Sequence, residues 1–173
     1  MASNIPSMVT HPSSFCLDLS TPCSIGIISD THGLVRPEAI SALHGSSAII
    51  HAGDIGDEAV LRALEQIAPV YAVRGNNDVA EWARAIPASI LLTLNNLPML
   101  VLHDLHDLDR RFSAPSVRTV ITGHSHRPLI EKRGGVLYIN PGSAGPRRFS
   151  LPISVAILHV VAAQLSATIH ELL

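Results

Sequence analysis

The sequence predicts an α/β domain built as a two-sheet mixed β-sandwich flanked by helices. Three observations carry that expectation. Short β-branched runs alternate with helix-patterned segments through the first half of the chain. The second half turns all-β, with turn signals between its runs. Apolar residues make up 47% of the chain and aromatics only 3%, so the core must be packed from aliphatic side chains. A length of 173 residues points to one domain with room for a sizeable core.

Residues 1–23 are rich in Ser, Thr and Pro and are read as a flexible N-terminal arm, leaving 24–173 as the folded domain. Met8 offers a second start for translation. No Lys or Arg precedes Arg36 and no continuous apolar stretch occurs in the arm, so a signal peptide is not expected. Cys16 and Cys23 both fall in the arm. Their spacing is no metal signature, and a reduced, cytoplasmic setting fits them.

From Ser24 onward the strand runs are Ile25–Ser29, Ser47–His51, Val70–Val73, Pro98–Leu102 and Val117–Thr122. Pro37–Leu43 and Glu58–Ile67 separate the first three and carry helical spacing. Pro37 suits a first helical turn, and Asp57 is a natural N-cap. This βαβαβ beginning argues for a parallel sheet covered on both faces. Ile90–Leu94 and Leu97–Leu102 flank Asn95-Asn96, a short hairpin signal. Leu129–Lys132 and Val136–Ile139 flank Gly134-Gly135, and Ser154–Val161 and Gln164–Glu171 follow. The second half is therefore expected to supply the second sheet.

Polar residues gather where the core runs end. Asp30-Thr31-His32-Gly33 follows the first, Gly53-Asp54 the second, Gly75-Asn76-Asn77-Asp78 the third, His103-Asp104 the fourth and Gly123-His124-Ser125-His126 the fifth. Ligands of open α/β sheets collect outside the carboxyl ends of strands. If these strands are neighbours, the side chains meet on one rim. Carboxylate, imidazole and amide oxygen together suit manganese, iron or zinc. Two cations sharing a carboxylate acidify a water and clamp a phosphoryl group. The glycines let the backbone turn sharply beside these short side chains.

These motifs, in this order, resemble the calcineurin-like metallophosphoesterases, and most closely their small bacterial and archaeal phosphodiesterase branch of the YfcE type. Ile139-Asn140-Pro141-Gly142-Ser143 resembles that branch too, and the likeness spans residues 25–172. The resemblance implies a two-sheet sandwich and a dinuclear metal centre. It implies that Asp30, His32 and His126 bind one metal, that Asn76, His103 and His124 bind the other, and that Asp54 bridges them. It further implies hydrolysis of a phosphate ester by a metal-bridging hydroxide. The ions expected are two divalent cations, manganese first, with iron, zinc or nickel as other occupants.

Two positions depart from the family pattern. Many members carry His after the Asn ligand as a general acid; here that residue is Asn77. An amide can orient a phosphate oxygen but cannot donate a proton as an acid, so Asn77 is expected to stabilise equatorial oxygens and a diester is the expected substrate. His103 is followed by Asp104 where the wider family often has Gly.

Each motif also has a blander reading. Asp-x-His alone more often caps a loop than holds a metal, Asp54 and Asn76 could be turn residues, and only the joint pattern reverses that balance. His51 lies within a strand and reads as a hydrogen-bonded core group behind the ligands. His106 reads as a solvated loop residue. His11, His44, His159 and His170 read as structural or exposed. Arg74 meets either a phosphate or an acidic neighbour, and Asp78 holds Asn77 or a loop amide. Arg147-Arg148 reads as a solvated face, and Asn140–Ser143 as a structural turn below the site.

Composition also excludes partners. A formal net charge of -2 gives no basic footprint for nucleic acid. No apolar run reaches about 18 residues, so no membrane span is expected. The expected partner is a small phosphate ester, with self-association left open. The rival to an enzyme is a protein-interaction scaffold on the same fold, and a complete set of ligand residues argues against it.

Overall fold

A computed structural model describes residues 12–108 and 117–173. The elements are β1 (Ser13–Leu17), β2 (Cys23–Ile28), α1 (Pro37–Leu43), β3 (Ala48–His51), α2 (Glu58–Glu65), β4 (Val70–Ala72), β5 (Ser89–Leu94), β6 (Leu97–Leu102), β7 (Thr119–Ile121), β8 (Leu129–Arg133), β9 (Val136–Asn140), β10 (Ser154–Val161) and β11 (Gln164–Glu171). Two mixed sheets face each other. One runs β1-β5-β6-β7-β9-β8 and the other β11-β10-β2-β3-β4.

The βαβαβ beginning forms the parallel trio β2-β3-β4, as its pattern predicts. Side chains alternate across it. Ile25, Ile27, Ala48 and Ile50 pack inward with Ile90, Leu92, Met99, Val101, Ile121 and Ile139 of the facing sheet. Ile28 and Ile49 point the other way and meet Ala39 and Leu43 of α1 and Val60 and Leu64 of α2. Fully burying each such aliphatic side chain is worth about 1.5–3 kcal/mol, so a polar substitution here would open the sandwich. The Asp57 carboxylate accepts from the Ala59 N–H at 2.7 Å and starts α2, a cap worth about 1 kcal/mol.

The Asn95-Asn96 hairpin forms as predicted: β5 and β6 pair antiparallel, and both asparagines take positive φ, 47° and 63°.

Two expectations fail. The flexible arm over residues 1–23 does not hold for its second part: Ser13–Leu17 pairs in parallel with Ser89–Leu94 as an edge strand. The Asn95 side chain closes that edge, accepting from Leu19 N–H at 2.8 Å and donating to Leu19 O at 2.9 Å. Residues 1–11 and Met8 lie outside the described residues. The second half also does not build one sheet. β10 pairs antiparallel with β2, so the last hairpin extends the first sheet, while β5 to β9 form the other. Long-range pairing decided this, and period-2 patterning is blind to which edge a strand joins.

Candidate metal centre

The five polar strand ends do converge, but not along one rim. β2, β3 and β4 end on one sheet, β6 and β7 on the other, and the side chains meet across the gap between them. The backbone beyond β2 and β3 continues its pairing: Asp30 N–H donates to Gly53 O at 2.9 Å, His32 N–H to Asp54 O at 3.0 Å and Gly33 N–H to Ile55 O at 2.7 Å.

Asp30, His32, Asp54, His124 and His126 all sit in the left-handed region, with φ of 53°, 48°, 53°, 66° and 57°. This conformation is costly for residues with a Cβ, and its concentration at one site is stored strain held by the surrounding structure. Gly33 and Gly53 turn beside them with φ of 82° and 95°, as expected of these glycines, so the left-handed turns are shared between the glycines and their polar neighbours. Gly75 and Gly123 serve a different need. A Cβ on Gly75 would overlap the Asp54 carboxylate, and one on Gly123 would overlap the Ser29 hydroxyl.

Asp30 is fully buried. Its Oδ2 accepts from the Ser29 hydroxyl at 2.6 Å and from the His124 N–H at 3.0 Å. Its Oδ1 has no hydrogen-bond partner. Facing that oxygen are His126 Nε2 at 3.2 Å and His103 Nε2 at 4.0 Å. Asp54 looks both ways: Oδ2 lies 3.9 Å from His32 Nε2 and Oδ1 lies 3.5 Å from His103 Nε2. Ligand atoms of Asp30, His32 and His126 fall within 4.8 Å of one another, as do those of Asp30, Asp54 and His103. His124 Nδ1 stands 3.1 Å from Asn76 Oδ1, and its ring meets that of His103 edge-on at 5.2 Å. Five of the seven predicted ligands thus fall in the two close groups, and Asn76 and His124 adjoin them beside His103.

Their protonation follows from their neighbours. His103 Nδ1 is 2.7 Å from Ala52 O, which fixes a hydrogen there and turns Nε2 toward the carboxylates. Burial opposes charge on His103, but Asp54, the Ala52 carbonyl and Asp30 outweigh it and raise its pKa. Burial likewise opposes charge on Asp54. His103 and the Asn77 amides overcome this and hold the carboxyl far below its ordinary range. Burial lowers the pKa of His32 despite Asp54 and Asp30. Buried, unpartnered Asp30 Oδ1 and His103 Nε2, set among imidazoles and a second carboxylate, are the chemistry of divalent-cation ligands.

The supporting residues divide into anticipated and missed. His51 is fully buried and burial holds it down to about 4, that is, neutral. Its Nδ1 accepts from Gly53 N–H at 3.2 Å, so Nε2 donates to the Thr31 hydroxyl at 2.9 Å, which donates to Ile55 O at 2.9 Å. Asp78 does more than hold one loop amide: it accepts from Gly75, Ile55 and Gly56 N–H at 2.8, 3.1 and 2.9 Å and so stitches the loops after β3 and β4 together. Asn140 Nδ2 donates to Gly123 O at 2.7 Å and anchors the His124–His126 loop.

Sequence reasoning missed two contacts. Asp104 Oδ2 lies 3.6 Å from His124 Nε2, and Arg148 Nη2 lies 3.4 Å from His32 Nε2. Nothing in a linear pattern reports such meetings. Asn77 is turned toward Asp54 rather than outward: its N–H donates to Oδ1 at 2.9 Å and its Nδ2 to Oδ2 at 2.5 Å. Arg74, Ala88, Asp104 and Asp107 join Asn76, His103 and His124 around a cleft of about 280 Å³.

Paired acidic and imidazole groups at the mouth of a two-sheet sandwich define a class: metal-assisted hydrolases of phosphate esters. Residues 23–163 match the calcineurin-like phosphoesterase superfamily domain, and the chain belongs to that superfamily. A probable metallophosphoesterase of Methanothermobacter thermautotrophicus is 32% identical over 157 residues, covering 84% of this chain and 90% of that one. A solved archaeal phosphodiesterase is 26% identical with a TM-score of 0.69, over 85% of this chain and 99% of its own. Vps29 of Chaetomium thermophilum superposes with a TM-score of 0.73 at 22% identity, over 86% and 88% of the two chains, a likeness of fold.

Proposed function

We propose that this phosphoesterase is a dinuclear-metal phosphodiesterase. Asp30, His32 and His126 would hold one divalent ion and Asn76, His103 and His124 the other, with Asp54 shared. The observation that carries this reading is the position of Asp54, whose two oxygens face His32 on one side and His103 on the other. The two close groups have Asp30 in common, with Asp54 in the second, which supports two adjacent ion sites. When bound, two such ions lower the pKa of a water and polarise the phosphoryl oxygens.

The chain's own residues prepare that chemistry. The Ala52 carbonyl keeps His103 in the tautomer whose Nε2 lone pair is available. Asn77 fixes the rotation of the Asp54 carboxylate. The cleft beside Asn76 and His124 gives one alcohol arm of the ester a polar wall with Arg74 and Asp104. No acid stands at position 77, so esters with good leaving groups, and diesters ahead of monoesters, suit the site. Manganese is the ion we favour, on the mixed carboxylate, imidazole and amide set. Two free cysteines fit a reducing, cytoplasmic setting.

The scaffold reading draws on the likeness to Vps29, which is one of fold alone. A complete, strained and internally braced ligand set is what a non-catalytic scaffold has no need to keep. The test is hydrolysis of a chromogenic aryl diester by purified protein with added manganese, with and without a chelator, alongside metal analysis. Chelator-sensitive turnover and about two ions per chain are expected; a loaded protein without turnover returns the fold to the scaffold reading.

A further inference from the structure

The loop between β9 and β10 brings a guanidinium to the same site. Its root is fixed on the metal-side end of β2. Ala144 N–H donates to Ser29 O at 3.1 Å and the Ser143 hydroxyl to Asp30 O at 2.9 Å. Arg36 Nε donates to Ala144 O and its Nη2 to Gly145 O, each at 3.1 Å. A Cβ on Gly145 would overlap the Asp30 carbonyl, so the strand and the loop are in backbone contact. The loop also closes on itself through a bridge between Ser143 and Ile153. Its exposed tip, residues 146–150, therefore projects from a buried, hydrogen-bonded base beside Asp30.

Two adjacent cations at that tip have different fates. Arg147 Nη2 donates to Leu173 O at 3.1 Å, on the C-terminal end of the chain. Arg148 instead reaches His32, with Nη2 at 3.4 Å from Nε2. Among the described residues no carboxylate pairs with Arg148 within 4.0 Å. Its fork of donors is thus held at the rim of the Asp30, His32 and His126 group without a strong acceptor of its own. A planar fork with unspent donors matches the oxygens of a phosphoryl group in two-point fashion.

Resting on the phosphoesterase reading for its ligand, we propose that Arg148 binds a non-bridging oxygen of the substrate phosphate on the His32 side of the site. It adds a positive wall opposite the cleft that holds Arg74. A dianionic phosphate monoester gains more from it than a monoanionic diester, so Arg148 also sets how strongly the monoester product of diester hydrolysis is retained.

The experiment is calorimetric titration of inorganic phosphate into manganese-loaded wild type, Arg148→Ala and Arg148→Lys, with manganese isotherms and thermal midpoints recorded for each. Expected are unchanged manganese affinity and midpoint, a loss of phosphate affinity of about tenfold in Arg148→Ala, and a smaller loss in Arg148→Lys, which keeps the charge but not the fork. Phosphate affinity within twofold of wild type in Arg148→Ala overturns the proposal. So does a wild type that binds no phosphate, or a variant whose manganese affinity falls instead, which would assign Arg148 to the support of His32. A protein that hydrolyses no ester while its phosphate affinity depends on Arg148 removes the catalytic reading and leaves the phosphate site standing.

Discussion

Asp54 is gripped at both carboxylate oxygens by one residue, Asn77, through its backbone N–H at 2.9 Å and its side-chain amide at 2.5 Å. The amide is thus engaged with Asp54, the carboxylate proposed to be shared between two ions. Asn77→Ala removes one of the two bonds and lets the carboxylate rotate. Manganese affinity is expected to fall by about tenfold, the range seen when a group supporting a metal ligand is lost. Calorimetry of the purified variant checks it; an unchanged isotherm would return Asn77 to a role toward substrate alone.

Putting an acid where the family often has one is the complementary change. Asn77→His supplies a proton donor beside the leaving group, so the ratio of monoester to diester turnover should rise. Steady-state rates on an aryl monoester and its diester measure the ratio. A flat ratio would mean that the missing acid does not set substrate preference.

Asp54 itself carries the largest expected effect. Asp54→Asn keeps the shape but removes the anion between His32 and His103. Loss of about 4 kcal/mol of transition-state stabilisation is about a thousandfold in rate, and that or more is expected, with both ions bound more loosely. Metal-dependent hydrolysis surviving at near wild-type rate would remove the shared-carboxylate reading.

Asp78 makes a stability prediction. One buried carboxylate accepts three backbone N–H groups from the loops after β3 and β4. Asp78→Ala strands those donors, and a cost of about 3 kcal/mol is expected. Chemical denaturation at neutral pH measures it, and a loss under about 1 kcal/mol would show that the loops relax to find water.

The cluster of polar strand ends was legible because each residue is short, polar and placed directly after an apolar run, and because five such placements recur in order. The hairpin was legible because Asn95-Asn96 accepts positive φ. The strand Ser13–Leu17 was not, since its pattern is exposed and only the partner Ser89–Leu94 gives it a reason to extend. Nor was the split of the strand ends between two sheets, which depends on β10 joining β2. The left-handed backbone at Asp30 and His126 was hidden for a related reason: sequence points to glycine for such angles, while here packing imposes them on residues kept for their donors.

His51 and His103 are buried neighbours whose pKa values move in opposite directions, which makes the pH response of the protein specific. His51 is held down to about 4 by burial, so the folded state excludes a proton that the unfolded chain binds near 6.5. Its contribution is present above pH 6.5 and is lost as pH falls toward about 4, a change of about 3 kcal/mol. For His103 burial is outweighed by Asp54 and the Ala52 carbonyl, and the folded pKa is raised. In chelated protein its contribution is complete below pH 6.5 and is lost as pH rises through the folded value. Metal reverses that second response, because a cation needs the Nε2 lone pair that the proton occupies. Three measurements follow from one pair of residues. Denaturation of chelated protein should show stability falling below pH 6.5 in wild type and less steeply in His51→Gln. Above pH 6.5 the chelated protein should lose stability that His103→Gln does not lose. Manganese affinity should rise across that same upper window, with proton release detected as a dependence of the binding heat on buffer ionisation. Binding heats independent of buffer would mean that the proton on His103 does not compete with the ion, and the assignment of His103 as a ligand would go with it.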